Sequence, residues 1–479
     1  MSKTTIELRI NDQVVDQARD QKGTFERLNP YLTYEASAFL TDTANIPTLP
    51  DTPTNRGIFG YVDIPSLGSN VPRFNFQQYI NGYLVLEGLA LLVDYTPKKG
   101  YSLKVVQPVG EFFGDYQLKK LTDIDFGTVS LTTPLPAGGV VQNSTQNAVC
   151  FPTILNQDYY GTNGASITYA NRVNNYTAGA YTAAGPRVPM VFVKYILRRI
   201  ATLAGVTIDG AFMTDTDMDA LILYNVRALD AATVVTLNRH LPEMTVVEFI
   251  VELRKYLNLR LDFDTLNKRL TIGFTESVFS LQTTLDWSEK LVLGARKILE
   301  RGRRLQLTME LDSNDAMVKD RPAALADYLT PAFADDLTIA KLSTKFSTLV
   351  VDASTGLANA RQLGATSQFA QLDKKSTPRL LFWQGVQSGF PRALPTNLAA
   401  TKSLYWNGTT GLINWTFAKT EAFRRQIHYL DCQLLLSEAD LALLDFTKKV
   451  HVNGVNYLPV RLSNSYPLTQ PTSGLLVSA

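Results

Sequence analysis

His240, His428 and His451 are the only imidazoles in this 479-residue chain, and Cys150 and Cys432 the only thiols. Nucleophilic or general-base chemistry that uses a histidine must pass through one of these three. Each has a plain local setting: His240 precedes Leu241-Pro242, His428 lies between Ile427 and Tyr429, and His451 alternates within a strand pattern. The cysteines are 282 positions apart and the histidines scattered, which predicts two buried thiols rather than a disulfide framework or a Cys/His zinc site. Asp262 and Asp264 fall on one face of a strand, as the paired carboxylates of a hydrolase or a metal site could. The alternation around them assigns that face to solvent. Asp125-Phe126-Gly127 spells a kinase tripeptide, but no lysine strand, H-R-D loop or Gly-rich loop accompanies it, so it reads as a strand end followed by a turn. The sequence holds no phosphate-cradling loop followed by Lys-Ser/Thr, no H-E-x-x-H, no G-x-S-x-G and no paired C-x-x-C. The expectation is no catalytic residue, no metal and no cofactor.

The strongest charge cluster is Arg296, Lys297, Arg301, Arg303 and Arg304, diluted only by Glu300. Such a run could line a channel for passing nucleic acid or pair with acidic groups on a partner. The plainer alternative is a solvated helix end leading into a strand, because base-stacking aromatics are not interleaved with the arginines.

The elements that must position these groups come from a chain that is 45% hydrophobic and only 19% charged, which excludes wholesale disorder. At about 150 residues per domain its length predicts roughly three domains. Forty-six basic and 44 acidic residues leave a net charge of +2, so no chain-wide field attracts nucleic acid or an anionic membrane. The opening MSKTTIELRI alternates and lacks the apolar core of a secretory signal. The most apolar stretch, Tyr83 to Tyr95, carries Glu87 and Asp94 and is too short to span a bilayer, so no stable membrane insertion is expected.

Up to Phe126 the pattern is β. Ile6, Leu8 and Ile10 alternate and Asn11-Asp12 turns the chain into Val14 and Val15, while Asn81-Gly82 turns a second hairpin between Phe74–Ile80 and Tyr83–Gly88. A Pro-studded loop, 46–72, is expected between them. Residues 127–186 hold only Asp158 and Arg172 as charges and are rich in Asn, Thr, Gly, Ala and Tyr. They read as an insertion: an adhesive surface of tyrosines and amides, or a loop-rich layer packed on its neighbours. Residues 191–204 switch to helical period, with Lys194 and Arg198 sharing the polar side and Gly205 ending the helix. Thr245 and Glu248 form a capping box for a helix whose core face is Phe249, Ile250, Leu253, Tyr256 and Leu257. Strands follow at Leu259–Phe263 and Leu270–Phe274, joined by 265–268. The remainder returns to β around Leu305–Leu311, Leu349–Val351 and Leu380–Trp383. Hairpins are expected at Asn407-Gly408 and Asn453-Gly454, with a short helix, Glu438 to Phe446, capped by Ser437.

Two stretches resemble a known family. Pro50, Asp51-Thr52-Pro53, Asn55, Ile58-Phe59-Gly60, Asn81-Gly82, Glu87-Gly88, Tyr101 and Lys120–Phe126 follow one another as in the opening domain of tail proteins of phages and prophages of Bacteroidetes-type hosts. Leu241–Val246 with Phe249, Leu253, Leu257, Leu259–Phe263 and Leu270-Thr271-Ile272 resembles the helix and hairpin of the central baseplate or tail-tip hub of contractile and siphophage tails, related to the hub half of type VI spike proteins. Ser437–Phe446, Val450–Gly454 and Tyr457–Leu462 are similar to the closing segment of the same hubs. The likeness covers about 60% of the chain, leaves 312–400 unmatched, and brings no catalytic residues with it.

The expected fold is α+β and β-rich: a β-barrel-like domain over 1–126, the polar insertion over 127–186, a central α/β domain over 187–300 and a second β-barrel-like domain over 301–479. The resemblance implies that the two barrel-like tube domains of each of three subunits form a pseudo-six-fold ring, adapting a six-fold tail tube to a three-fold tip. It further implies a homotrimeric virion protein at the tail tip, made in host cytoplasm, touching the tail tube or distal tail protein, the tail spike or tip and the tape-measure protein. DNA would pass transiently through its lumen, past Arg296, Lys297, Arg301, Arg303 and Arg304 if these face inward. The rival is a distal tail or receptor-binding protein that holds host surface polysaccharide through 127–186. An enzyme reading, a carboxylate-dependent glycan hydrolase, has only the Asp262/Asp264 pair to offer.

Overall fold

A computed structural model describes the chain apart from residues 1–4, 19–21, 33–42, 63, 65–72, 107–111, 158–170, 183–184, 230–232, 266, 281–282, 293, 300–302, 333–337, 363–376, 426 and 467–469. The chain divides into two compact units, each assembled from separated stretches: Met1–Phe112, Ser277–Gly302 and Phe423–Ala479 in the first, Phe113–Glu276 and Arg303–Ala422 in the second. This differs from the four consecutive domains expected. The reason lies in strand pairings between the two ends of the chain, which no local pattern announces.

The first unit holds a 13-stranded sheet. Its strands are β1 Ile6–Ile10, β2 Gln13–Val14, β3 Gly23–Leu28, β4 Thr43–Asn45, β5 Arg73–Ile80, β6 Tyr83–Thr96, β7 Gly100–Val106, β8 Thr283–Asp286, β9 Arg296–Leu299, β10 His428–Leu434, β11 Lys449–Val452, β12 Val455–Tyr466 and β13 Thr472–Ser478. The order is β2-β1-β5-β6-β7-β4-β3-β12-β13-β10-β9, with β11 beside β12 and β8 beside β11. A lobe built from the first 106 residues is therefore joined to a lobe built from 283–299 and 428–478 through one antiparallel pair, β3 with β12, in which Phe25 faces Asn464. The second barrel-like stretch expected over 301–479 is thus not continuous: strands β8 and β9 come from before it, and residues 303–422 belong to the other unit.

The turns work as their residues predict. Asn11 and Asp12 have φ of 48° and 65°, Asn81 and Gly82 49° and 82°, Asn453 and Gly454 47° and 85°, the left-handed pairs that match the twist of two-residue hairpins. At Pro459, β12 changes neighbour from β11 to β3. Proline cannot donate to a ladder, and the register against β13 shifts between Pro459 and Arg461. Buried Asn29 closes the bulge: its backbone N–H donates to the Val460 carbonyl at 2.9 Å and its side-chain amide to the Pro459 carbonyl at 2.8 Å. Leu8, Ile10 and Phe76 of the first lobe share one core with Trp287, Cys432, Val450 and Leu462 of the second.

The Pro-studded loop contains a short helix, Pro53–Ile58, because proline is preorganised for a first helical position and the Thr52 hydroxyl caps the Asn55 N–H. Just before it, the Asp51 carboxylate accepts from Arg56 at 2.7 and 2.9 Å and from the Tyr95 hydroxyl at 3.1 Å. The Arg56 hydrogen bond is the main cause holding the Asp51 pKa at about 2. A carboxylate with a lowered folded-state pKa contributes stability above its unfolded pKa and loses it as pH falls through the folded one. Asp51→Asn should therefore flatten the fall in melting temperature between pH 4 and pH 2; an unchanged slope in thermal melts would contradict this.

The second unit centres on a six-stranded sheet, in order Phe390–Leu394, Arg379–Gln387, Leu221–Tyr224, Met190–Phe192, Gln146–Cys150 and Val140–Asn143. A four-stranded sheet, Arg172–Val173, Ile154–Asn156, Ala358–Ala360 and Val350–Val351, lies in the same unit. The uncharged stretch 127–186 therefore supplies strands to both sheets, and over its described residues it is not an insertion. Val141, Ala148 to Phe151, Ile154 and Leu155 are buried, so its lack of charge reflects burial. Helix Val193–Ala204 ends at left-handed Gly205, φ 64°, and helix Val246–Leu257 starts with the Thr245/Glu248 capping box, its five expected core residues all buried. Leu259–Asp264 and Arg269–Phe274 pair as a hairpin. The expected hairpin at Asn407-Gly408 is absent: Gly408 takes φ 96°, but the chain continues into helix Leu412–Trp415 while Trp406 is fully buried. The terminal helix is shorter than expected, Glu438–Ala442, with the Ser437/Asp440 box intact.

Candidate functional site

The basic run is divided between the two units. Arg296 and Lys297 lie on β9, the outer strand beyond β10, both exposed, with Arg296 3.2 Å from Asp431. Arg303 and Arg304 begin a strand of the other unit, Arg303–Met309, where Arg304 donates to the Thr330 carbonyl at 2.8 Å. Arg301 and the Arg303 side chain lie outside the described residues. The described parts on either side are strand, not a helix end.

Each histidine is bound locally. The buried His240 ring lies 2.8 Å from the Asn225 amide, His428 lies 3.2 Å from the Tyr457 hydroxyl, and His451 sits inside its own hairpin, Nε2 accepting from the Gly454 N–H at 3.1 Å and Nδ1 lying 2.9 Å from Asn456. Burial and the nearby Lys297 charge lower the His428 pKa, which favours its neutral form. Cys150 and Cys432 are free and buried; burial pushes the first thiol well up and the second to about 11, so neither is a nucleophile at neutral pH. Asp262 lies 3.5 Å from Arg260, and Asp264 caps its own turn through Asn267 at 2.7 and 2.9 Å. Asp125 accepts from the Gly127 N–H at 2.8 Å, a turn as expected. Among the described residues no group of three or more His, Cys, Asp or Glu could hold a metal ion, and no helix is long and apolar enough to cross a membrane.

Two further features lie in the second unit, the first unread in the sequence and the second read only in part. One is a buried charge cluster: Arg379 donates to Asp315 at 2.5 Å and lies 3.2 Å from Asp312, all three at most 5% exposed. Asp315 also accepts from the Met317 and Arg361 N–H groups at 3.0 and 2.9 Å. Its members fall in the stretch 312–400 and lie 64 or more positions apart across the pair, so no spacing pointed to them. The other is a half-open cleft of about 460 Å³ lined by Gln142, Thr145, Gln146 and Asn147 of the Val140–Cys150 hairpin, by Phe192 at the end of the strand Met190–Phe192, by Lys194, Tyr195 and Arg198 on the first two turns of helix Val193–Ala204, and by Asp219. The sequence assigned Lys194 and Arg198 to one polar side. Lys194 is instead buried, donating to Asp219 at 2.7 Å and the Asp215 carbonyl at 2.6 Å, while Arg198 stays half-exposed. The amide-rich composition of 127–186 was the signal for this cleft.

The architecture so described is β-rich α+β. No protein-family model matches the chain, and no curated protein matches it. Among solved structures it is similar to the 43 kDa tail protein of prophage MuSo2 from Shewanella oneidensis, at 10% identity and TM-score 0.39 over 100% of this chain and 98% of that one. It is also similar to a tail protein from Neisseria meningitidis MC58, at 9% identity and TM-score 0.39 over 99% and 96% of the two chains. A third is prophage tail protein gp18 from Listeria monocytogenes EGD-e, at 8% identity and TM-score 0.42 over 98% and 94%.

Proposed function

We propose that this chain is a virion structural protein of a phage or prophage tail, the tail-tip or baseplate hub, acting without catalysis. The observation that carries the reading is the pair of lobes in the first unit, one from each end of the chain, joined edge to edge through β3 and β12. One chain with two successive sheet lobes supplies two of six positions in a ring, so three copies adapt a six-fold tube to a three-fold tip. A closed ring needs only complementary patches repeated by symmetry, not a reaction centre. Its neighbours are the tail tube or distal tail protein above and the spike or tip and tape-measure protein at the lumen, through which DNA passes. Arg296 and Lys297 on the outer strand are offered as partner or lumen contacts, with Arg301, Arg303 and Arg304. The test is location: a label on Ala479 should appear at the tail tip of intact particles, and a label on the tail shaft or on no particle would contradict the reading.

A second reading, a distal tail or receptor-binding protein that holds host surface polysaccharide, is favoured by one observation, the cleft to which the stretch 127–186 contributes the amides Gln142, Gln146 and Asn147. Replacing Gln142, Gln146 and Asn147 by alanine, which spares the buried strand residues of that hairpin, separates the two: intact tails that no longer adsorb support the second, and intact tails that adsorb normally support the first.

A further inference from the structure

The cleft has a chemistry that narrows its occupant. Its volume, about 460 Å³, is in the range of small-ligand sites and accommodates one or two sugar rings. Its two aromatics are turned inward: Phe192 and Tyr195 are 2% and 3% exposed, and the Tyr195 hydroxyl is taken by the Asn143 amide at 2.7 Å. An apolar or aromatic ligand would find no open ring to lie on. What the cleft presents instead are planar amides, each carrying two donors and an acceptor with two lone pairs, the complement of adjacent ring hydroxyls. Gln142 donates to Asn147 at 2.9 Å, which holds these two amides together, while Gln146 pairs with Asn143 through its strand backbone and its side-chain amide makes no hydrogen bond among the described residues.

The charges add a second constraint. Lys194 is spent on Asp219 and the Asp215 carbonyl, so these two lining charges cancel. Arg198, one turn further along the helix, has no ion pair among the described residues and leaves the lining with one net positive charge. A guanidinium matches a carboxylate bidentately, and a single positive charge balances a monoanion better than a dianionic phosphate. We propose that this cleft binds an acidic saccharide unit, a uronic acid residue of a glycan, with its carboxylate on Arg198 and its hydroxyls on Gln142, Gln146 and Asn147. The inference deepens the second, polysaccharide-binding reading and rests on it.

The test is calorimetric titration of the full chain at millimolar ligand with the methyl glycoside of galacturonate, a monoanion, and with the matching neutral methyl galactoside. The uronate should bind, the neutral sugar at least tenfold more weakly, and Arg198→Met should remove that tenfold preference. Gln146→Leu, on the hairpin rather than the helix, should weaken both sugars alike, with circular dichroism showing each variant folded. Equal binding of the two sugars overturns the assignment of Arg198 while leaving the polysaccharide reading intact. No binding of either sugar overturns both, and binding of an acidic peptide alone assigns the cleft to a protein partner instead.

Discussion

Replacing Arg379 by methionine is expected to destabilise the second unit by about 3–5 kcal/mol, the cost of removing one partner from a buried charge group. The guanidinium is 1% exposed, contacts Asp315 and Asp312, and lies 5.6 Å from the centre of the Tyr224 ring. Methionine keeps the aliphatic volume and removes the charge, which leaves two carboxylates in a site that water does not reach. The backbone of Arg379 is also in the six-stranded sheet, opposite Tyr224, so the loss should be felt across that sheet. Adding Asp315→Asn and Asp312→Asn to the same chain should recover part of the loss, because it removes the stranded charges while the Met317 and Arg361 N–H groups keep an acceptor. Urea unfolding followed by circular dichroism reads both. A loss under 1 kcal/mol for the single change would mean that these charges are solvated.

Gly100→Ala is the second large effect. Gly100 has φ 107°, a conformation open to glycine and strained for alanine, and an added Cβ would lie 1.8 Å from the Leu49 carbonyl oxygen. That oxygen cannot yield cheaply: Leu49 and Tyr101 exchange both backbone hydrogen bonds at 2.9 Å, and both residues are fully buried. Tyr101 in turn stacks on Phe59 with ring centres 4.4 Å apart, so displacing it disturbs the first lobe's core. Backbone strain and overpacking together should cost roughly 2–6 kcal/mol. Gly82 is the control. It also has positive φ, 82°, but nothing lies within 4 Å of an added Cβ, so Gly82→Ala should cost only about 1–2 kcal/mol. Equal losses at the two glycines in the same melts would show that the close approach to Leu49 is not what matters at Gly100.

What the sequence made legible is local. Asn81-Gly82 and Asn453-Gly454 announce hairpins because the turn itself demands positive φ, and Thr245 with Glu248 announces a helix start because two orphan N–H groups need partners within three residues. The same rule misled at Asn407-Gly408, where the turn exists but Leu412–Trp415 winds into a helix instead of returning as a strand. What stayed hidden is long-range. Phe25 opposite Asn464 joins the chain's two ends, and the expectation of separate domains at 1–126 and 301–479 failed on that pairing and on the transfer of residues 303–422 to the other unit. The uncharged stretch 127–186 shows composition to be ambiguous: loops and buried sheet edges both lack charge. Of the candidate residues, the basic run was visible as a run, but its division between two units follows from tertiary structure alone. The cleft was half visible, through its amides, whereas the burial of Lys194 against Asp219 was not.

In the proposed hub, three chains close into a ring with two lobes from each. Native mass spectrometry of the purified chain, with and without its tube protein, tests this most directly when paired with averaged electron images of the same sample. The account predicts a single species of three 53.1-kDa chains whose end-on view shows three-fold symmetry and six lobes. A monomer that persists at micromolar concentration in the presence of the tube protein would contradict it.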